Sequence, residues 1–160
     1  MRRKDREITD INEISDIIKR CKVCHLAMID DGKPYAVPLN FGYAINGNTL
    51  TLYFHSAKEG RKIDILKKNS TVCFDMLCEG KLGKIIDPCN SGYYFECVMG
   101  FGSAEFVDNV EEKCRALSLL VKHQSNQDFE FNEKQAEAVC VFKVSTNDFT
   151  GKRKPVPGTH

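Results

Sequence analysis

A chain of 160 residues, 42% hydrophobic and 28% charged, has the make-up of a globular domain long enough to bury a core. Its formal net charge of +1 gives no electrostatic footprint for nucleic acid or for an anionic membrane surface. No apolar run approaches the roughly 18 residues of a membrane span, and none follows Arg2-Arg3-Lys4 as a signal peptide requires. A single cytoplasmic domain over 1–160 is therefore expected.

Eight cysteines without a secretory signal read as reduced thiols rather than a disulfide framework. Cys21-Lys22-Val23-Cys24-His25 matches the c-type haem attachment pattern, but that attachment belongs to exported proteins, and His25 opens a strand over 25–29. Cys73/Cys78 and Cys89/Cys97 have the wrong spacing for a zinc ribbon or finger, so no metal site is expected and most of the thiols read as small core residues.

Taken in chain order, residues 10–21 predict a helix: Asp10 and Glu13 suit a capping box, and Ile11, Ile14, Ile17, Ile18 and Cys21 follow helical spacing. The period then changes to two. A strand over 25–29 is followed by an Asp30-Asp31-Gly32-Lys33 hairpin turn. Residues 34–44 predict one strand with two unlike faces. Tyr35, Val37, Leu39, Phe41 and Tyr43 are bulky, whereas Ala36, Pro38, Asn40, Gly42 and Ala44 are small or polar and leave room either for a flat ligand or for a helix. Asn46-Gly47-Asn48 is a second hairpin turn and leads into a strand over 49–55.

That strand ends in Tyr53-Phe54-His55-Ser56-Ala57-Lys58-Glu59-Gly60-Arg61-Lys62. Ser56 and Glu59 suit a capping box for a helix reaching about Lys68, with Ile63 and Leu66 inward. Lys58, Arg61 and Lys62 against Glu59 leave +2 at a helix end that already favours anions, and a phosphate would repair the conflict. The alternative is a capped surface helix with solvated cations.

Further on, residues 71–78 predict a strand, 79–92 a long loop or loose hairpin, and 93–107 a strand bent at Gly100 and Gly102. A third capping box, Asp108/Glu111, opens a helix carrying Cys114, Leu117, Leu120 and Val121. Residues 125–134 read as polar loop, 138–145 as a last strand, and 150–155 as an exposed basic tail. About six strands in hairpin order with three helices, and no βαβ alternation, predict a small antiparallel β-barrel decorated by helices.

The segments 31–43 (Asp-Gly-Lys-Pro-Tyr-Ala-Val-Pro-Leu-Asn-Phe-Gly-Tyr) and 53–62 together resemble the nitroimidazole-resistance (Nim) proteins, within the FMN-binding split-barrel superfamily that includes pyridoxamine 5′-phosphate oxidase. The resemblance runs from Ile8-Thr9-Asp10 to the basic tail. It implies a mainly β protein with helices, a six-stranded antiparallel split barrel that forms a homodimer with FMN near the subunit interface; Tyr93, Glu96 and the tail are candidates to cross it. Carried over by position, Arg61 and Lys62 would clamp the flavin phosphate. His55 and Ser56 would be strand-end contacts, with Ala57, Lys58 and Gly60 in the same turn, while Pro38, Leu39 and Asn40 would line the ring.

The implied function is flavin-dependent reduction of small nitroaromatic compounds, taking the nitro group of a 5-nitroimidazole to an amine. His55 would be the catalytic residue, donating a proton or orienting the nitro group. Two alternatives stand beside it: a haem- or flavin-binding protein for storage, sensing or haem handling, in which His55 would ligate haem iron, and pyridoxamine phosphate oxidation. The latter fits less well, because the chain is short and its tail offers only Lys152, Arg153 and Lys154 where such oxidases use an Arg/His-rich segment.

Overall fold

The computed structural model describes residues 3–78, 80–83 and 92–155; Cys89 and most of the expected 79–92 loop lie outside them. A 3₁₀ turn (Lys4–Arg6) leads into β1 (Glu7–Ile8), α1 (Ile11–Arg20), β2 (Cys24–Asp30), β3 (Lys33–Leu39), β4 (Gly42–Asn46) and β5 (Thr49–Ser56). Then come α2 (Arg61–Lys68), β6 (Thr71–Leu77), β7 (Lys81–Leu82), β8 (Tyr93–Phe106), α3 (Val110–Ser125), α4 (Glu133–Glu137), β9 (Cys140–Thr146) and β10 (Phe149–Lys154).

Every strand pairing among the described residues is antiparallel. The main ladder runs β3-β2-β6-β8-β9-β5-β4, with β10 also on β8 and β1 on β10. Its two end strands, β3 and β4, are consecutive in the chain and joined only by Asn40 and Phe41. A ladder whose ends are tied by two residues must curl round on itself, yet β3 and β4 do not pair. The barrel is closed by the chain and left split in its hydrogen bonding. Inside lie Leu26, Met28, Phe54, Phe74, Met76, Phe142 and Val144, and the cross-strand neighbours Phe54 and Phe142 stack at 5.2 Å.

The ladder holds more than six strands because residues 34–44 form two. The break comes where Asn40 Nδ2 donates to Lys22 O and to Gln124 Oε1, both at 3.0 Å, while Gln124 Nε2 donates to Phe41 O at 2.9 Å. The small face predicted there divides accordingly. Ala36, Pro38 and Asn40 are exposed, whereas Gly42 lies under α3, where a Cβ would stand 2.5 Å from Leu120 N. Only glycine lets that helix approach so closely.

Both expected hairpin turns form, pairing Asp30 with Lys33 and Asn46 with Thr49. Asp10 caps α1 by accepting from Asn12 N and Glu13 N, but the Glu13 carboxylate accepts from Arg153 instead of returning to the cap. The cap of α3 is Asn109, one residue later than predicted, and the stretch read as polar loop ends in the start of α4, which has an Asn132/Gln135 capping box and runs on to Glu137. Gly100 and Gly102 lie where β8 exchanges β10 for β9 as partner.

The largest departure is the tail. Residues predicted as exposed form β10 on β8, with Gly151 buried and Arg153 bonded to Glu13 and Glu96. Three consecutive cations, Lys152, Arg153 and Lys154, hide a strand in which Arg153 is held by ion pairs. No helix among the described residues is long and apolar enough to cross a membrane.

Candidate functional site

Strand β5 alternates Leu50, Leu52 and Phe54 into the core against Thr51, Tyr53 and His55 outward, so His55 stands exposed on the outer face opposite Val141 of β9. The chain then makes a turn that differs from the predicted capping box. Ser56 is buried and its hydroxyl donates to Ala57 O at 2.7 Å. Helix α2 begins only at Gly60, whose φ of 136° suits glycine and which offers no side-chain cap. Gly60 O accepts from Ile63 N and Asp64 N, and the amides of Arg61 and Lys62 lack intrahelical acceptors. An uncapped, positively polarised helix end therefore faces solvent beside His55, with Lys58 outside the helix.

Arg61 and Lys62 are adjacent in sequence but serve different neighbours. Arg61 Nε donates to Asp30 Oδ2 at 2.9 Å, and its guanidinium lies 4.5 Å from the Tyr35 ring centroid, over the β2–β3 hairpin. Lys62 acts on His55 through its charge: partial burial of the ring chiefly, and then the Lys62 ammonium, lower the proton affinity of His55 from its ordinary 6.5. His55 has no hydrogen-bond partner among the described residues.

His55, Ser56, Ala57, Lys58, Gly60, Arg61 and Lys62 thus share one strand–helix turn. Pro38 and Asn40 are exposed on β3, Leu39 packs towards the core, and the Asn40 amide is occupied by Lys22 and Gln124. No hydrogen bond, ion pair or ring contact among the described residues joins Pro38, Leu39 or Asn40 to the turn; the link between α2 and β3 is Arg61 over Tyr35. Sequence reading missed Asp30 and Tyr35 as the partners of Arg61. Their place in a short hairpin was visible, but the docking of α2 on that hairpin was not.

A second feature lies on the outer face of β3, β2, β6 and β8. Leu77, Met99 and Phe101 are 49%, 41% and 53% exposed on interior strands; Phe101 continues the cross-strand row Ala36, Ala27 and Cys73, and Met99 the row Pro38, His25 and Asp75. One polar pair interrupts the face, His25 Nδ1 and Asp75 Oδ1 at 3.1 Å. Cys21 and Cys24 are buried, out of reach of a haem vinyl group. No group of three or more His, Cys, Asp or Glu side chains converges on a point that could hold a metal among the described residues.

A split barrel with an anion-ready turn at the end of β5 defines a class of protein, and the comparisons agree. Residues 10–153 match the pyridoxamine 5′-phosphate oxidase family model, and the chain belongs to this family. A Bacteroides thetaiotaomicron protein proposed to act in 5-nitroimidazole antibiotic resistance is 34% identical, with 92% of this chain and 86% of that one aligned at a TM-score of 0.79. A NimC/NimA family protein from Clostridium acetobutylicum is 16% identical, covering 93% of this chain and 87% of that one, with a TM-score of 0.60. A FAD- and haem-binding protein from Mycobacterium smegmatis is 15% identical, covering 97% and 77%, with a TM-score of 0.78. No curated protein matches.

Proposed function

We propose that the chain is an FMN-dependent oxidoreductase that reduces small nitroaromatic compounds, converting the nitro group of a 5-nitroimidazole to an amine. In this reading it works in the cytoplasm as a homodimer with the flavin near the subunit interface. The observation that carries the reading is the turn from β5 into α2, where an exposed His55 stands beside Lys62 and an uncapped helix end. Its occurrence in a chain 34% identical to a relative linked to nitroimidazole resistance supports the substrate class.

The donor set fits a flavin phosphate: two free helix amides, with Lys58 and Lys62 unpaired among the described residues. The flavin would supply the electron chemistry when bound. His55 would orient the nitro group and deliver a proton to its oxygen, and Lys62 would make that proton more acidic. The apolar outer face around Met99 and Phe101 is the surface we assign to the second copy, since burying it would remove exposed apolar area from interior strands.

The test is spectroscopic. Purified protein should be yellow or take up FMN, bleach under a chemical reductant, and recover its absorbance on addition of a 5-nitroimidazole. Protein that takes up no flavin would sink the reading. The partnerless His55 ring also supports a second reading, haem ligation, for which a Soret band abolished by His55→Ala is the signature.

A further inference from the structure

Helix α2, the β8–α3 junction and the start of β9 line an open cavity of about 370 Å³. Its lining is mixed, with Ile63, Phe106 and Val141 beside Lys58, Lys67 and Lys113, and a single carboxylate, Asp108. The three lysines come from the β5–α2 turn, from α2 and from α3, so only the fold gathers them. None has an ion-pair or hydrogen-bond partner among the described residues. Elsewhere Lys143 is paired to Glu112 at 2.8 Å and Lys122 to Asp128 at 2.7 Å. Cys140 in the same cavity registers the field: burial pushes its thiol up, Lys113, Lys67 and Lys62 pull it down, and Asp108 pushes it up.

Three ammonium groups against one carboxylate leave an excess of positive charge beside an apolar patch, and an anion with a flat apolar body would relieve it. We propose that the cavity is a second phosphate site, taking the phosphate of a nucleotide; it adjoins the flavin-phosphate site at the start of α2, with Lys58 between the two and Lys67 and Lys113 belonging to the cavity. What the nucleotide does rests on the flavin reading. It is either the adenylate half of a dinucleotide flavin or a free nucleotide that brings electrons, and the binding chemistry is the same for both.

The experiment measures dissociation constants for FMN, FAD and ADP on the wild type and on a Lys67→Glu/Lys113→Glu double variant, with a Lys67→Gln/Lys113→Gln pair and circular dichroism as the folding control. ADP should bind the wild type and weaken by at least about tenfold in the double variant, the scale of one charge-assisted hydrogen bond, while FMN affinity holds. A parallel loss of FAD identifies the adenylate half as the occupant; unchanged FAD identifies the free nucleotide. If FMN falls by the same factor as ADP, there is one phosphate site and the proposal is overturned. Undetectable ADP binding, or equal binding to the double variant, overturns it too. The ADP arm needs no flavin, so a protein that binds ADP here but no flavin would fail the reductase reading and keep this site.

Discussion

Arg61 Nε donates to Asp30 Oδ2 at 2.9 Å, so the first cation of α2 is committed to the β2–β3 hairpin and the second, Lys62, is left to act on His55 through its charge. The two side chains leave successive positions of a helix about 100° apart, which is enough to send them to different neighbours.

Their substitutions should therefore separate. Lys62→Ala should weaken FMN binding by about tenfold or more, as expected for a lost charge-assisted hydrogen bond. Arg61→Ala should weaken it less and cost about 1 kcal/mol or less of stability, because the Arg61 side chain is 60% exposed. Flavin fluorescence titration with a parallel thermal melt measures both; equal losses of affinity would show Arg61 leaving Asp30 for the phosphate.

For His55, protonation in the fold occurs below the ordinary 6.5, first because of burial and then because of Lys62. If the ring donates the proton, nitro reduction should rise as pH falls through its lowered pKa, and Lys62→Ala should move the inflection to higher pH. His55→Ala should leave flavin bleaching intact and reduce nitro turnover by roughly 10²-fold or more. A flat pH–rate profile in the wild type would remove His55 from proton transfer.

The buried His123 makes a prediction about stability. Its Nε2 donates to Cys21 O at 2.7 Å, its ring lies 4.6 Å from that of Phe41, and burial lowers its proton affinity from 6.5 despite that hydrogen bond, with Lys22 adding to the lowering. Above 6.5 the ring is largely neutral in both folded and unfolded chains. As pH falls below 6.5 the unfolded chain takes the proton first, so stability declines until the folded pKa is passed. Urea midpoints measured from pH 7.5 downwards should fall, and His123→Gln should flatten part of that slope; His55 contributes with the same sign and accounts for a remainder.

The surface assigned to the second copy is tested by Phe101→Glu. Burying a phenylalanine is worth about 1.5–3 kcal/mol and burying an unpaired carboxylate is costly, so the variant should dissociate at concentrations where the wild type is dimeric. Sedimentation velocity reads this directly. A variant that stays dimeric with wild-type affinity would move the interface elsewhere.

The antiparallel architecture, both hairpin turns and the apolar periodicity of α1 were legible in the sequence, because each depends on neighbours within a few residues. The same local reading failed where a distant partner intervened. Residues 34–44 look like one strand until Gln124 of α3 binds Phe41 O and Asn40, and residues 150–155 look like a loose basic tail until Glu13 and Glu96 take Arg153. Asp30 and Tyr35, which hold Arg61, lie far from it in sequence.

Residues 53–62 show how the two sources divide. The sequence by itself determined that a strand ends there, that cations crowd a helix start and that an anion would relieve them, since backbone periodicity and helix polarity are local properties. It misplaced the cap, because Ser56 is drawn into the barrel and Gly60 alone tolerates the backbone that follows. Only the tertiary structure decided that Arg61 turns to Asp30, that the charge of Lys62 acts on His55, and that Lys58, Lys67 and Lys113 meet around one cavity. Closing a ladder into a barrel brings together strands and helices far apart in the chain, and a charge's role is set by which of them it meets.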